Sequence, residues 1–578
     1  MTGPAAPKDP EKARPFFYIL KDKDIFGERQ KDGTGIQFIY ENDGRLINSA
    51  QITGNVTDKE ELTLLETVEG FGRLVHSIGV SVETDRPEET AEFVFQMYGK
   101  KDLYGGGTNL TTSLKCDGME HRIYLSDYRW TEDDHVPGQI KILFAAPERM
   151  GKVSVRLFLN DGYEAPPEEE DLVIDMHSEE YCGMISRSLL QLGNPYRIRK
   201  AIEKSKAGKE VTLAYIGGSI TQGAGAIPIH TECYAYKSFQ LFQNRFSTQN
   251  NVRFIKAGVG GTPSELGMIR FDRDVLREGE RPDIVVIEFA VNDEGDETKG
   301  VCYESLVRKV LKLPWKPAVV LLFSVFANDW NLQERLSPVG DLYDLPMVSI
   351  RDAVTPQFSL KCGEGRILSK NQFFYDIFHP NNTGHTIMAD CLQYLFERCD
   401  AAEPARVGTF VEGMTEEQIL SEKLSGPAVI GADFERIFLL DKKNRYVGAE
   451  IRAGGFTSTD MELQSVEMDG NLTQTPEFPY NWMYDGSRPQ MPGFEMEITC
   501  KSLFLIFKDS GEMDVGKANV FVNDVYCMTA DPHKNNWLHC NAVLLFWETE
   551  SRSHKVRIAV TEEDQNKKFT ILGFGYTI

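Results

Sequence analysis

The stretch YIGGSITQGAG, Tyr215 to Gly225, decides how the middle of this chain is interpreted. An apolar run, VTLAYI, ends abruptly at two glycines and a serine, and two further glycines follow within six residues of that serine. A plain turn, a phosphate-binding loop and a nucleophilic serine all fit such a stretch. A phosphate loop needs Gly-Lys-Ser/Thr after its glycines and a dinucleotide site needs GxGxxG, and neither pattern is present. The choice between turn and nucleophile therefore depends on the rest of the chain.

Strand and helix patterns alternate from about residue 182 to 400. Apolar runs such as VTLAYI, DIVVIEF and AVVLLFSVF are separated by amphipathic helical stretches such as YESLVRKVLKL. Continuously apolar strands separated by helices are typical of a parallel sheet that is covered on both faces. We therefore predict an α/β domain over residues 180–402.

Patterns typical of β-structure flank this domain on both sides. From about residue 16 to 163, short alternating runs such as GIQFIY and KVSVRLFLN are separated by turn residues, and no long helical period interrupts them. The acidic, proline-containing EAPPEEEDLVIDMHSEE marks a domain edge. We predict a disordered N-terminus at 1–15, a β-sandwich or jelly roll at 16–175, and a second β-sandwich or jelly roll at 405–578, which in one interpretation is of the carbohydrate-binding kind.

The composition is that of a globular protein with several domains. A chain of 578 residues exceeds one core, and 41% hydrophobic and 26% charged residues are ordinary values. The net charge of −24 disfavours nucleic acid and anionic membranes as partners. No apolar leader and no apolar run of about 18 residues is visible, and the ten cysteines are scattered. We therefore expect reduced thiols and a cytoplasmic location, unless an export signal precedes this sequence; homo-oligomerisation is left open.

Glycines and polar residues follow the strands of the predicted sheet. The first strand ends at Ser219, the second in the glycine-rich GVGGT, and the third in Asn292-Asp293. Asp376 and His379 come just before the last helix. Sites in open parallel sheets form at the carboxyl ends of the strands, so we expect these residues to lie together.

These residue types fit acyl transfer. A neutral serine is a weak nucleophile, and a histidine such as His379 is a suitable base at neutral pH. The spacing Asp-x-x-His lets Asp376 bond the other imidazole nitrogen and fix its tautomer and orientation. The backbone N–H groups of Ser219 and Gly261 and the amide of Asn292 are candidate donors to the developing oxyanion.

The set GGSIT, GVGGTPS, AVND and DIFHP resembles the four sequence blocks of the SGNH (GDSL-like) hydrolase superfamily, over roughly residues 205–395. The resemblance implies an SGNH-type three-layer α/β/α (flavodoxin-like) catalytic domain that needs no cofactor. By position, it assigns the nucleophile, the oxyanion glycine and asparagine, the base and its acidic partner to Ser219, Gly261, Asn292, His379 and Asp376.

The sequence departs from the pattern of this superfamily in three ways. Gly218 stands where the first block often has Asp, and Lys256 stands where the second block often has Asn. About two hundred residues precede Ser219, whereas the nucleophile usually lies near the N-terminus. Added β-sandwiches resemble the architecture of multi-domain carbohydrate acetylesterases, which deacetylate and help to degrade polysaccharides.

Several other residues have a structural interpretation beside a functional one. Asp293 fits a turn or a helix cap. His385 would need an acidic partner of its own to act as the base. Trp330 follows the fourth strand, where it either stacks on a sugar ring or packs a loop. Three aromatic residues of C-terminal loops fit a binding face, an interface with the catalytic domain or core positions: Trp482, Tyr484 and Trp537. No His/Cys/Asp cluster has zinc-site spacing, so we expect no metal.

The leading hypothesis is a serine esterase that removes O-acetyl groups from an oligo- or polysaccharide through an acyl-enzyme. The first alternative is a lysophospholipase or thioesterase that uses the same site, which would need an apolar acyl channel. The second alternative is a carbohydrate-binding protein with an inactive hydrolase domain. The complete set of Ser, Gly, Asn, Asp and His residues argues against that alternative.

Overall fold

The computed structural model describes residues 12–42, 44–168, 170–277, 279–402, 414–466 and 475–578. The segment predicted to be disordered, 1–15, lies outside the described residues except for its last four positions. The chain is a mixed α/β protein with a parallel-sheet domain in the middle and β-rich parts before and after it. Within the described part of the chain, no helix is long and apolar enough to cross a membrane.

The N-terminal part contains two antiparallel sheets. Its strands are β1 (Phe16–Phe26), β2 (Glu28–Arg29), β3 (Gly35–Tyr40), β4 (Val75–Thr84), β5 (Thr90–Gly99), β6 (Asn109–Lys115), β7 (His121–Tyr124), β8 (Asp134–Phe144) and β9 (Met150–Leu159). One sheet has the order β1-β9-β4-β7 and the other the order β2-β3-β8-β5-β6. Side chains from both sheets meet in one apolar core, which is what alternating strands with a buried face require.

Three short helices, not indicated by the sequence pattern, interrupt these sheets between β3 and β4. They are α1 (Arg45–Thr53), α2 (Lys59–Leu64) and α3 (Val68–Leu74). Asp58 and Thr67 cap the second and third by accepting backbone N–H groups of the first turn. Helices of about two turns are too short for a 3.6-residue period to emerge from the alternation around them.

The middle part is a six-stranded sheet. Its strands are β10 (Leu189–Gln191), β11 (Val211–Gly217), β12 (Val252–Gly258), β13 (Ile284–Glu288), β14 (Ala318–Phe323) and β15 (Met347–Ser349). The order is β10-β15-β14-β13-β11-β12, with β10 as an antiparallel edge and the other five strands parallel. The five parallel strands thus have the doubly wound order 2-1-3-4-5, and their switch point lies at β11 and β13.

Helices cover both faces of this sheet. They are α4 (Glu179–Ser186), α5 (Tyr196–Lys206), α6 (Ser219–Gln222), α7 (Ile229–Glu232), α8 (Tyr234–Phe246), α9 (Ser264–Phe271), α10 (Val301–Leu311), α11 (Gln333–Tyr343), α12 (Ile350–Phe358), α13 (Lys370–Phe373) and α14 (Asn382–Ala401). Leu213 and Tyr215 of β11 join the apolar cluster of α5, α8 and α14, whereas Ala214 and Ile216 join that of α9 and α10. Alternate residues of one strand thus enter separate cores, as a three-layer arrangement requires.

The C-terminal part is predominantly antiparallel β-structure. After α15 (Glu416–Ser425) come β16 (Phe438–Leu440), β17 (Ala449–Arg452), β18 (Ser465–Val466), β19 (Thr475–Pro476), β20 (Trp482–Tyr484), β21 (Phe494–Asp509), β22 (Ala518–Val522), β23 (Val525–Ala530), β24 (His539–Val560) and β25 (Phe569–Thr577). Phe504 and Ile506 of β21 share the core of α9 and α10, while Leu503 and Leu505 face a separate core. This sheet therefore packs directly on the helical layer of the middle domain. The jelly-roll arrangement stays a prediction.

Candidate active site

Ser219 is the first residue of α6 and follows β11 after a single glycine. That glycine, Gly218, has no room for a side chain, because a Cβ atom there would lie 2.2 Å from Asn292 Oδ1 and 2.6 Å from its Nδ2. The chain can therefore turn off the strand in close contact with the Asn292 amide. Gly218 thus allows the loop that begins at Ser219 and the loop that carries Asn292 to approach each other closely.

Ser219, His379 and Asp376 form a hydrogen-bonded series. Ser219 Oγ lies 2.9 Å from His379 Nε2. His379 Nδ1 lies 3.0 Å from each carboxylate oxygen of Asp376. Asp376 Oδ1 also accepts the backbone N–H groups of Phe378 and His379, at 2.8 and 2.9 Å. The Asp-x-x-His spacing therefore forms a turn that places the imidazole between the carboxylate and the serine hydroxyl.

Asp376 is held in its ionised form. Burial alone would raise the pKa of Asp376, but the charge and hydrogen bond of His379 and the charge of Arg45 lower that pKa to about 2. Arg45 belongs to α1 in the N-terminal part, and its guanidinium carbon lies 5.7 Å from the centre of the Phe378 ring. At neutral pH the carboxylate is thus available to stabilise a protonated imidazole.

The Gly261 loop lies beside α6. In the pairing of β11 with β12, Gly217 and Gly258 are direct neighbours, so the loops that follow the two strands start side by side. A Cβ atom at Gly258 would lie 2.1 Å from the backbone nitrogen of Gln222, at the end of α6. Gly261 has a φ of +69°, in the left-handed region that favours glycine. The structure thus brings Asn292 and the Gly261 loop to the short helix that Ser219 begins.

The C-terminal part covers the Gly261 loop. Gln464 Nε2 donates to the Gly260 carbonyl oxygen at 2.8 Å, and His539 Nε2 lies 3.1 Å from the Gly261 carbonyl oxygen. Burial lowers the pKa of His539, which favours a neutral imidazole that donates its Nε2–H to Gly261. The Trp537 ring lies so near that a Cβ atom on Gly261 would be 2.8 Å from it, yet Trp537 remains 44% exposed. Trp537 therefore lies at the rim of the site.

Arg270 is absent from the candidates drawn from the sequence. Its side chain is fully buried and donates to the carbonyl oxygens of Gly217 and Ala257, each at 2.9 Å. An ion pair with Asp274 at 3.0 Å compensates its charge. Arg270 thus ties together the ends of β11 and β12, from which the Ser219 and Gly261 loops emerge. The only signal in the sequence is a charged residue within the apolar run LGMIRF.

Two further buried ionisable side chains lie behind the site. Lys256, at the position where the superfamily often has Asn, donates Nζ to the Gln222 carbonyl oxygen at 3.0 Å and so holds the end of α6. Glu288, absent from the candidates, ends β13 and accepts from Thr221 Oγ1 at 3.0 Å. Burial, as the largest effect, raises the pKa of Glu288 to about 7. An acidic residue in the otherwise apolar DIVVIEF is its signal in the sequence.

Asp293 and His385 have structural contacts. Asp293 Oδ1 accepts the Ser264 backbone N–H at the start of α9, at 2.8 Å, which supports the cap interpretation. His385 is fully buried, with Nδ1 accepting the Tyr234 N–H and Nε2 facing the Ala224 carbonyl, each at 3.1 Å. Burial lowers the pKa of His385 to about 3. Both of its nitrogens bond backbone groups rather than a carboxylate.

The remaining aromatic candidates differ in their surroundings. Trp330 stacks on Phe326 with ring centres 5.7 Å apart, and Phe326 lies 5.1 Å from the Phe378 ring. The Phe326 ring thus lies between Trp330 and Phe378, the residue that precedes His379. Trp482 and Tyr484 are only 5% and 4% exposed within the C-terminal core, so the structure favours the core interpretation for both.

Among the described residues, one group brings three potential metal-ligand atoms within 4.8 Å of one another: Glu265, Asp296 and Cys302, all buried. The Asp296 oxygens already accept the backbone N–H groups of Thr298 and Gly300. Burial, followed by the charge of Asp296 and a hydrogen bond to it, raises the pKa of Glu265 to about 10. Glu265 is therefore protonated at neutral pH and hydrogen-bonded to Asp296, whose oxygens are already engaged by backbone N–H groups.

The doubly wound parallel sheet, with helices on both faces, defines the class of this domain as a three-layer α/β/α fold. Residues 215–387 match the model of the GDSL-like Lipase/Acylhydrolase family. The chain therefore contains a GDSL-like acylhydrolase domain, and the resemblance inferred from the four sequence blocks is confirmed.

Similarity to solved structures extends beyond that domain. The chain resembles a two-domain esterase (CEX) active on acetylated mannans, with 24% identity, a TM-score of 0.55 and coverage of 68% of this chain and 98% of the other. The same esterase co-crystallized with mannopentaose gives a TM-score of 0.53, with the same identity and coverage. LAE5, an α/β hydrolase from the metagenome of Lake Arreo, Spain, has 18% identity and a TM-score of 0.26, and the match covers 34% of this chain and 100% of LAE5. No curated protein sequence matches. At these identities the likeness concerns the fold.

Proposed function

We propose that this protein is a serine esterase that removes O-acetyl groups from a carbohydrate. The observation that carries the proposal is the series of Ser219, His379 and Asp376, joined at 2.9 and 3.0 Å within a GDSL-like domain. A hydroxyl bonded to an imidazole that is itself oriented by an ionised carboxylate is the arrangement that activates a serine nucleophile.

The reaction follows from this geometry in two halves. Ser219 Oγ attacks the ester carbonyl while His379 Nε2 takes its proton, and Asp376 stabilises the imidazolium. The tetrahedral oxyanion accepts hydrogen bonds from the N–H groups of Ser219 and Gly261 and from Asn292 Nδ2. As the tetrahedral intermediate collapses, His379 protonates the leaving sugar oxygen, and the sugar departs with a free hydroxyl. In the second half, water attacks the carbonyl of the acetyl-enzyme while His379 takes its proton. His379 then returns that proton to Ser219 Oγ, and acetate is released.

The carbohydrate specificity rests on two supporting observations. The fold resembles, over 68% of this chain, an esterase that is active on acetylated mannans. Trp537 is a large half-exposed ring at the rim of the Gly261 loop, of the type that packs against the apolar face of a ligand while its N–H stays hydrated. We propose an acetylated oligosaccharide as the substrate, with Trp330 as a further contact. The cytoplasmic location and a homo-oligomeric state stay predictions.

Two measurements test the proposal. Ser219→Ala should lower kcat for 4-nitrophenyl acetate by at least about 10³-fold while the melting temperature is retained. Ser359→Ala, at an exposed serine of the same domain, is the matched control. Unchanged turnover in Ser219→Ala would rule out Ser219 as the nucleophile. Acetate release across acetylated mannan, xylan, xyloglucan and pectin oligosaccharides identifies the glycan, and a preference for octanoyl over acetyl esters would favour the lysophospholipase or thioesterase alternative.

A further inference from the structure

The segment that carries Asp376 and His379 lies directly against the N-terminal part. We call residues 370–380 the acid–base strap. Backbone contacts join the two arms of this segment: the Tyr375 N–H donates to the His379 carbonyl oxygen at 2.8 Å, and Phe374 forms a β-bridge with Pro380. The Tyr375 side chain packs against the apolar core of the N-terminal sheets. The position of His379 therefore depends on what supports the strap from behind.

Lys23 of β1 reaches the strap from the N-terminal sheet. It is 3% exposed, and its Nζ donates to the carbonyl oxygen of Phe374 and, at 3.4 Å, to that of Asn371. Thr53, the last residue of α1, donates its hydroxyl to Asn371 Oδ1 at 3.4 Å. Burial lowers the pKa of Lys23 to about 8, which reflects the cost of placing an amine here. An apolar side chain would suffice at this position if the strand only filled a core.

Arg45, the first residue of α1, supports the other end of the strap. Its guanidinium lies over the Phe378 ring at 5.7 Å, and that ring lies 6.1 Å from the His379 imidazole. Its charge also acts on Asp376. Two cations of the N-terminal part therefore contact the strap on either side of Asp376, Lys23 at Phe374 and Arg45 at Phe378.

We propose that the N-terminal part is a component of the active site, in which Lys23 and Arg45 are positioning residues that hold the acid–base strap so that His379 faces Ser219. The inference rests on the proposed esterase mechanism and assigns the N-terminal part a role in it. Neither cation is placed at the substrate. Their loss should therefore lower kcat and leave KM nearly unchanged, since misplacing a base by about 1 Å costs as much as about 100-fold in rate.

A pH profile separates this role from general support of the fold. The charged and titratable groups that act on Asp376 are His379 and Tyr375 on the strap, Arg45 from α1, Lys23 from β1 and Glu41 from the turn after β3. Burial raises the pKa of Glu41 to about 8, so it adds little negative charge at neutral pH. Removing the charge of Arg45 takes away one of the effects that lower the pKa of Asp376. The ionised carboxylate that the mechanism requires is then lost at a higher pH, so the acid limb of kcat/KM should move to higher pH.

The test uses full-length variants and 4-nitrophenyl acetate. We expect Lys23→Met and Arg45→Met to lower kcat about 10-fold or more, with KM within about twofold of the wild-type value. Arg45→Lys should restore kcat to at least about half of the wild-type value and return the acid limb of kcat/KM to its wild-type position. Arg86→Met is the matched control, because Arg86 and its ion-pair partner Asp85 are exposed residues of the same part.

Melting temperatures establish that each variant is folded. If Lys23→Met does not fold, Arg45→Met decides the question, because Arg45 is only partly buried. Wild-type kcat in folded Arg45→Met, or a rise in KM at constant kcat, would overturn the inference. Activity retained in Ser219→Ala would instead overturn the proposed function, so the two failures are distinguishable.

Discussion

The imidazole Nε2 of His539 lies 3.1 Å from the carbonyl oxygen of Gly261, although 278 positions separate the two residues in the chain. The preceding carbonyl, of Gly260, accepts a hydrogen bond from Gln464. A trans peptide points its C=O and N–H in opposite directions, so the bond to the Gly260 carbonyl also orients the Gly261 N–H. The C-terminal part thus fixes both peptides around the proposed oxyanion donor.

This relationship makes Gln464 important for turnover. Gln464→Ala leaves the Gly260 carbonyl without its donor and frees the peptide that carries the Gly261 N–H. We expect kcat for 4-nitrophenyl acetate to fall about 10-fold, because an oxyanion donor is effective only when it is preorganised. Steady-state kinetics on full-length protein check this. An unchanged kcat would mean that the Gly261 loop holds its own conformation.

Gly218 should tolerate no side chain. Its Cβ would lie 2.2 Å from Asn292 Oδ1, so Gly218→Ala must displace the Asn292 amide. We expect a loss of about 10² in kcat, and the double variant with Asn292→Ala should be no worse than Asn292→Ala alone, because both changes remove one donor. Gly183→Ala is the matched control, since nothing lies within 4 Å of a Cβ there. Fully additive losses would contradict the shared cause.

The local part of this site could be predicted from the sequence, because short-range patterns encode it. The serine after an apolar run, the glycine-rich second loop and the spacing of Asp376 and His379 each lie within a few residues. The parallel sheet likewise follows from the alternation of apolar strands with helices. These features depend on local preferences and on the rule that the carboxyl ends of parallel strands share an edge.

Long-range support could not be predicted. Lys23 contacts a carbonyl 351 positions away, and Arg270 contacts one 53 positions away. A single sequence does not indicate which distant elements touch. Arg270 therefore appears there only as a charge inside an apolar run, and Lys23 only as one of four consecutive charged residues, KDKD. The same holds for His539, the first residue of β24, which nothing in the sequence connects with Gly261 and which the structure places beside it.

Trp537 should matter for a carbohydrate and not for a small ester. It is 44% exposed beside Gly261, where a sugar ring bound near the acetyl group would pack on it. We expect Trp537→Ala to raise KM for an acetylated oligosaccharide about fivefold or more, with kcat/KM for 4-nitrophenyl acetate within about twofold. Trp547→Ala is the control, because Trp547 is equally exposed but packs on Phe434. Equal effects on both substrates would argue against a sugar contact.

Glu288 should make the free energy of unfolding depend on pH. Burial raises its pKa from 4.5 to about 7 in the folded state, so the folded protein holds a proton that the unfolded chain releases. Its stabilising contribution is complete below pH 4.5 and is lost as the pH rises to about 7. Glu288→Gln removes this dependence and keeps an acceptor for Thr221. Relative to wild type, the variant should therefore gain at most about 3 kcal/mol in unfolding free energy between pH 5 and pH 8.

Denaturant unfolding of both proteins at pH 5 and pH 8 measures this difference. Asp293 and Glu41, with pKa values that burial raises to about 8, remain in the variant, so its stability still declines with pH but with a smaller slope. Glu294→Gln, at an exposed carboxylate of the same domain, is the control and should leave the slope unchanged. Parallel pH dependence in Glu288→Gln and wild type would show that Glu288 is already ionised in the folded protein at pH 5.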